Sequence, residues 1–296
     1  MTLVCSVWVH FASVVSRPFG TAFVFTLVTA LCYTPTCRTD DDRFGVQMLE
    51  ATIDGGREWF AEWNTTRTVR QSSFDPADPL FRNSEGVLRI GGGIARVTAG
   101  QTRLMIMTPK DEAGNYTLPQ WQNVEMTIYA RRGTRTKEPS YQAFDLSARS
   151  REEHNDKAPC DGTSYHGTFR FDGDVGFKKE IWHTGGYTQL RPDPTPRPWP
   201  TVPEGQWIGM KHVVRNCDEN QHVRLQLYLD ETATNDWKLA ATYTDVGGWR
   251  GGEQNQNCER AIDHIILEAR PTVYFRTDYV NAELRQFSVR EIAPLP

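Results

Sequence analysis

Between Arg149 and Tyr187 the chain places Arg149, Arg151, His166, Arg170, Lys178, Glu180, Trp182, His183 and Tyr187. Guanidinium and ammonium groups hold carboxylates, and Tyr, His and Lys exchange protons once their pKa values move toward working pH. Those types match what β-elimination from a uronate requires. A cation or amide must neutralise the carboxylate, a base must take the carbon-bound proton, and an acid must protonate the leaving oxygen. The expected catalytic residues are therefore Tyr187, His183, Lys178 and Arg170. Substrate contacts are expected from Arg149, Arg151, His166, Glu180, Trp182, Gln189 and Trp199, the two tryptophans offering amphipathic ring faces to sugars. Each residue also has a plainer reading, because charges on the outer side of a sheet are usually just solvated and a tyrosine after Gly185-Gly186 often serves a turn.

Other chemistries find less support. A glycosidase needs two carboxylates at a set separation across the bond, and Glu180 stands alone on its segment while Glu152-Glu153 reads as a solvated loop. Asp172-Gly173-Asp174 carries oxygen ligands of the kind calcium uses but lacks the spacing of a calcium loop, so it reads first as a turn. A structural calcium ion there is the alternative, and no other cofactor is implied. Gly91-Gly92-Gly93 opens no helix, so it is not a phosphate loop, and no nucleophile elbow occurs.

These side chains need elements to hold them. From Leu88 onward, short runs of β-branched and aromatic residues alternate with Gly, Asn, Asp and Pro clusters, and no long segment keeps a helical period. Strands are predicted at 87–90, 103–107, 124–131, 142–150, 165–172, 177–182, 207–215, 223–230, 238–244, 265–269, 273–277 and 284–292. That pattern predicts an all-β fold, a two-sheet antiparallel β-sandwich or jelly roll. Side chains alternate along a strand. Phe144, Leu146 and Ala148 then face inward, with Ser147, Arg149 and Arg151 outward. Likewise His166, Thr168 and Arg170 oppose Phe169 and Phe171, and Lys178, Glu180 and Trp182 oppose Phe177 and Ile181. Strict alternation would bury Lys179. The proline-rich segment 192–203 cannot be a central strand and reads as a stiff loop, either a connector or the wall of a groove.

The segment Trp207-Ile208-Gly209-Met210-Lys211-His212-Val213-Val214-Arg215-Asn216, followed by Val223 to Asp230 and then Trp237, resembles the signature hairpin of concanavalin-like and laminin G-like domains. The resemblance implies a concanavalin-like jelly roll; Trp207 and Trp237, unlike Trp182 and Trp199, are expected in the core. That fold hosts lectins, adhesion modules and sugar-cleaving enzymes alike. A shorter run, His183-Thr184-Gly185-Gly186-Tyr187-Thr188-Gln189, resembles the K-A-G-x-Y-x-Q segment of alginate-lyase jelly rolls, in which the tyrosine is the catalytic acid/base. This implies that role for Tyr187, with Gln189 nearby. His183 stands where that family has Lys, and the family's Arg-x-Glu-Leu-Arg and Gln-Ile/Val-His motifs have no clear counterpart.

Two apolar runs within residues 1–37, split by Arg17, Pro18 and Gly20, have the composition of an export leader, with cleavage expected between Ala30 and Cys37; a retained signal anchor is the alternative, although each run is shorter than the ~20 apolar residues a spanning helix needs. Residues 38–296 are then expected to form one sandwich domain, secreted and monomeric, with no membrane contact once the leader is gone. Cys217 and Cys258, each in a polar loop, are the favoured disulfide, although four cysteines beyond the leader allow three pairings. The sequons at Asn64 and Asn115 agree with export. A formal net charge of −4 gives no reason to bind nucleic acid. The expected partner is an acidic polysaccharide and the favoured activity is a lyase's. A lectin-like binding module and a laminin G-like adhesion domain are the alternatives.

Overall fold

The computed structural model describes residues 41–98, 100–135, 142–151, 162–182, 186–192, 201–249 and 264–296, without the side chains of 181, 182 and 186. Residues 1–40, with the expected leader, lie outside that set, as do Cys37, Cys160 and Cys258; Cys217 carries a free, buried thiol.

Seventeen strands and no helix run through the described residues. The first seven are β1 (Glu58–Phe60), β2 (Arg67–Val69), β3 (Ser73–Asp75), β4 (Asp78–Asn83), β5 (Leu88–Gly91), β6 (Ile94–Val97) and β7 (Gln101–Met107). Next come β8 (Val124–Arg135), β9 (Ala143–Ser150), β10 (Ser164–Arg170), β11 (Val175–Trp182) and β12 (Gly186–Tyr187). The last are β13 (Trp207–Cys217), β14 (His222–Asp230), β15 (Lys238–Asp245), β16 (Thr272–Asp278) and β17 (Val280–Glu291). A nine-stranded sheet runs β15-β14-β13-β8-β17-β6-β5-β2, with β1 on β17, and an eight-stranded sheet runs β12-β11-β10-β9-β16-β7-β4-β3. The pairings are antiparallel, so the chain is a two-sheet sandwich, the architecture predicted from its alternation.

The two inner faces share one core. Leu104, Ile106, Phe144, Leu146, Phe169, Phe177 and Phe275 of the smaller sheet meet Met126, Ile128, Met210, Val214, Leu225, Leu227 and Leu284 of the larger. Each fully buried side chain of this kind contributes about 1.5–3 kcal/mol. His212 also points inward, where its Nδ1 donates to the Leu146 carbonyl at 2.7 Å and its ring stacks on Phe177. Burial lowers its pKa to about 4, so it packs as a neutral ring. Gly167 makes room for it, because a Cβ there would lie 2.8 Å from the imidazole. A Gly167→Ala variant is expected to lose about 1–3 kcal/mol, the cost of overpacking a filled core, measured as a lower denaturant midpoint.

Several expectations about the elements fail for identifiable reasons. Residues 265–269 form no strand, and β1 to β4, short and interrupted by turns, lie before the first strand predicted. Trp207 and Trp237 are half-buried rather than core. Trp207 lies under the Arg131 and Arg285 guanidiniums, and the Trp237 indole donates to Asn235. Among the described side chains, Trp59, Trp63, Trp121 and Trp249 are the buried tryptophans. Lys179 is buried, as strict alternation required, and its ammonium pairs with Asp245 at 2.8 Å.

Candidate functional site

The strand register carries the outward residues of β9, β10, β11, β12 and β16 onto one face of the eight-stranded sheet. Opposite residues there are His166 and Lys178, His166 and Ser147, Thr168 and Asp145, Arg276 and Asp145, and Glu180 and Tyr187. The tight Asp172-Gly173-Asp174 turn, with Gly173 at φ 101°, joins β10 to β11 and makes them neighbours. A cavity of about 250 Å³ opens on this face, lined by Gln101, Asp145, Thr168, Lys178, Tyr187, Arg276 and others.

Tyr187 sits at the centre. Arg276 Nη1 donates to its hydroxyl at 2.6 Å, and the Arg276 guanidinium and Lys178 ammonium each lie 5.9 Å from its ring centre. Burial, seconded by the Glu180 carboxylate, pushes the phenol well above its ordinary pKa, against the pull of Arg276. The hydroxyl is therefore protonated at neutral pH. Lys178 makes no hydrogen bond or ion pair among the described residues, and burial lowers its pKa, opposed by Asp145. Arg276 is anchored by Asp278 at 2.9 Å and remains a permanent cation.

Beneath Tyr187 lies a buried polar network. His166 Nδ1 is 2.9 Å from Asp145 Oδ1, and its Nε2 is 2.7 Å from Ser164 Oγ and 3.6 Å from Glu180 Oε2. Ser147 and Thr168 donate to the same Asp145 carboxylate at 2.6 and 2.9 Å. Burial works against a charged His166, but Asp145 and Tyr274 outweigh it and raise the pKa to about 10. The same partnership holds Asp145 far below the ordinary carboxylate range, although burial alone would raise it. The His166 ring meets Tyr187 edge-on at 5.2 Å and so supports the phenol from below.

Since the folded-state pKa of His166 lies above its unfolded value of about 6.5, its stabilising contribution is complete below that value. It is lost as pH rises through about 10. Unfolding midpoints measured from pH 6 to pH 10 are expected to fall for the wild type and to fall less for His166→Gln.

The structure brings together Lys178, Glu180, Tyr187 and His166, and separates others from them. His166, expected to touch substrate, is 1% exposed and engaged through both nitrogens, so it positions rather than contacts. Arg149, expected on the outer face, is fully buried. Its φ of 57° and the register shift between β16 and β9 form a bulge that turns the side chain away, to the carbonyls of Gln122 and Ile266. Arg170 is held at the rim by Asp172 and Asp174, half-buried Arg151 follows the end of β9, and Gln189 is exposed. Trp182 stands opposite Gly186, and His183 and Trp199 lie outside the described residues. At Asp172-Gly173-Asp174 the carboxylates serve the turn and Arg170. No group of His, Cys, Asp or Glu suited to a metal ion occurs among the described residues.

No protein-family model and no curated protein matches this chain. Solved structures give distant likenesses. A putative glycosyl hydrolase from Parabacteroides distasonis ATCC 8503 is 10% identical, over 76% of this chain and 89% of that one, at a TM-score of 0.40. The Ca2+-bound exoplasmic/lumenal domain of VIP36 is 11% identical over 76% and 90%, at 0.42, and basic winged bean lectin with Tn-antigen is 9% identical over 76% and 98%, at 0.37. At these scores no residue role passes to this chain. Asp145, Arg276 and Tyr274 did not stand out in the sequence. Alternation in 273–277, where Val273 and Phe275 face the core, was the available signal for Tyr274 and Arg276.

Proposed function

We propose that this face binds an acidic, uronate-containing saccharide and cleaves it by β-elimination. The observation that supports this is the trio around one cavity: an amine at Lys178 with no hydrogen bond or ion pair among the described residues, a protonated phenol at Tyr187 and a permanent cation at Arg276. The nearby carboxylates are already bonded, Asp145 to His166, Ser147 and Thr168, and Asp278 to Arg276. The face is thus prepared for an incoming anion.

In this reading Arg276 neutralises the substrate carboxylate and so acidifies the adjacent C–H bond. Neutral Lys178 takes that proton, the electron pair becomes the new C=C bond, and the C–O bond breaks. Tyr187 passes its proton to the leaving oxygen; afterwards Lys178 releases the proton it took to water and Tyr187 regains one from water. The secreted location and the leader at residues 1–37 belong to the same proposal.

Incubation with a panel of polyuronates, followed through the ultraviolet absorbance of the unsaturated product, tests it. Rising absorbance supports elimination. Saccharide binding without absorbance would leave a lectin-like module instead, and neither result on any acidic polymer would sink the reading.

A further inference from the structure

A second cationic surface lies on the outer face of the nine-stranded sheet. Strand register aligns Arg89 of β5, Arg96 of β6, Glu283 of β17, Arg131 of β8 and Trp207 of β13 in one row across five adjacent strands. Neighbouring strands are about 4.8 Å apart, so Arg89 and Arg131 are separated by roughly 14 Å and Trp207 by one step more. A depression of about 360 Å³ opens along the row, with Glu204 and Asn281 on its wall.

The charges in the row do not balance. Glu283 is shared, accepting from Arg96 at 3.0 Å with one oxygen and from Arg131 with the other. Arg89 is exposed and makes no hydrogen bond or ion pair among the described residues, yet it stands directly opposite Arg96. Like charges directly opposite each other on a sheet destabilise it, so this pair costs stability unless an anion lies between. Arg285 adds a further guanidinium, stacked 4.5 Å from the Trp207 ring centre, with a buried Nε that lacks a hydrogen-bond partner.

We propose that this row is a non-catalytic binding site for an anionic polysaccharide chain, which crosses the strands with its acidic groups on Arg89, Arg96 and Arg131. Cations spaced along a line suit a polymer with repeating charges better than a small anion, and the half-buried Trp207 ends the row with an aromatic edge. The class of ligand rests on the reading of the opposite face. The site itself rests on register and charge alone.

Affinity electrophoresis through gels containing sodium alginate tests it, with Tyr187→Phe as the background so that cleavage does not interfere. The Arg89→Ser/Arg96→Ser pair is expected to weaken retardation about tenfold, while Arg89→Lys/Arg96→Lys retains most of it. In otherwise wild-type protein and without saccharide, the Ser pair relieves the like-charge contact and should not lower the melting temperature, and it should leave the turnover of short oligouronides unchanged. Unchanged retardation of the Ser pair overturns the site. Equal retardation by single-stranded DNA overturns its assignment to saccharide. If alginate is retained through these arginines but never cleaved, the proposed elimination fails while the row stands; cleavage with unaltered retention does the reverse.

Discussion

A Tyr187→Phe variant is expected to keep its affinity for the saccharide and to lose at least ~100-fold in turnover, the usual scale for a positioned acid or base. The substitution removes one oxygen and little else. The ring keeps its edge contact with His166 at 5.2 Å, and Arg276 keeps Asp278. Only the 2.6 Å bond from Arg276 to the phenol oxygen is lost, which leaves that guanidinium freer to take a substrate carboxylate. Binding should therefore hold or tighten while turnover falls. The pH profile supplies a second readout. Lys178 acts only when neutral, and burial lowers its pKa from the ordinary lysine value, so the rate should climb with pH through the Lys178 titration. Tyr187→Phe should lower that curve without moving its rising limb. Stopped initial rates on a soluble polyuronate from pH 6 to pH 10 measure both, and unchanged product formation in the variant would remove Tyr187 from the mechanism.

The hairpins were legible because their signals are local. The polar run from Asn216 to Gln221 joins β13 to β14 in the hairpin that the resemblance implied, with Asp218, Glu219 and Asn220 all at positive φ, and Asp172-Gly173-Asp174 joins β10 to β11. Alternation within each strand correctly sorted Phe144, Leu146, Phe169 and Phe177 into the core. The site was only half legible, because it depends on pairings between strands distant in sequence. β9 lies beside β16, and β16 beside β7. Nothing local tells that Arg276 will stand between Asp145 and Arg103, or reach Tyr187. Arg149 failed for a different reason: a single left-handed residue reverses the facing of its side chain, and alternation assumes none.

The largest stability effect is expected behind the site, at the ion pair between Lys179 and Asp245. Both side chains are fully buried, with Nζ to Oδ2 at 2.8 Å. The same oxygen accepts from the Tyr165 hydroxyl at 2.7 Å, and Lys179 donates again to the His264 carbonyl at 2.7 Å. Asp245 Oδ1 receives the Gly247 amide at 3.1 Å, while the Tyr165 oxygen receives the Ile266 amide at 3.0 Å. One carboxylate thus ties β11, β10 and the backbone on either side of residues 250–263 into a single network. Asp245→Ala removes a carboxylate from a buried ammonium and unbonds a buried phenol, and breaking a pair in this way costs about 3–5 kcal/mol. Removing both charges is a different matter, since desolvation offsets most of what a buried pair contributes and apolar replacements of similar volume are often neutral. Lys179→Met with Asp245→Leu should therefore recover much of the loss seen with Asp245→Ala. The coupling is measurable as non-additivity in a double-mutant cycle of urea midpoints. Because Lys179 adjoins Lys178 on β11, Asp245→Ala should also disturb the amine in the cavity and lower turnover, whereas the apolar double variant should restore it. Additive losses across the cycle would show that the two charges act independently and that this network does not hold the site in place.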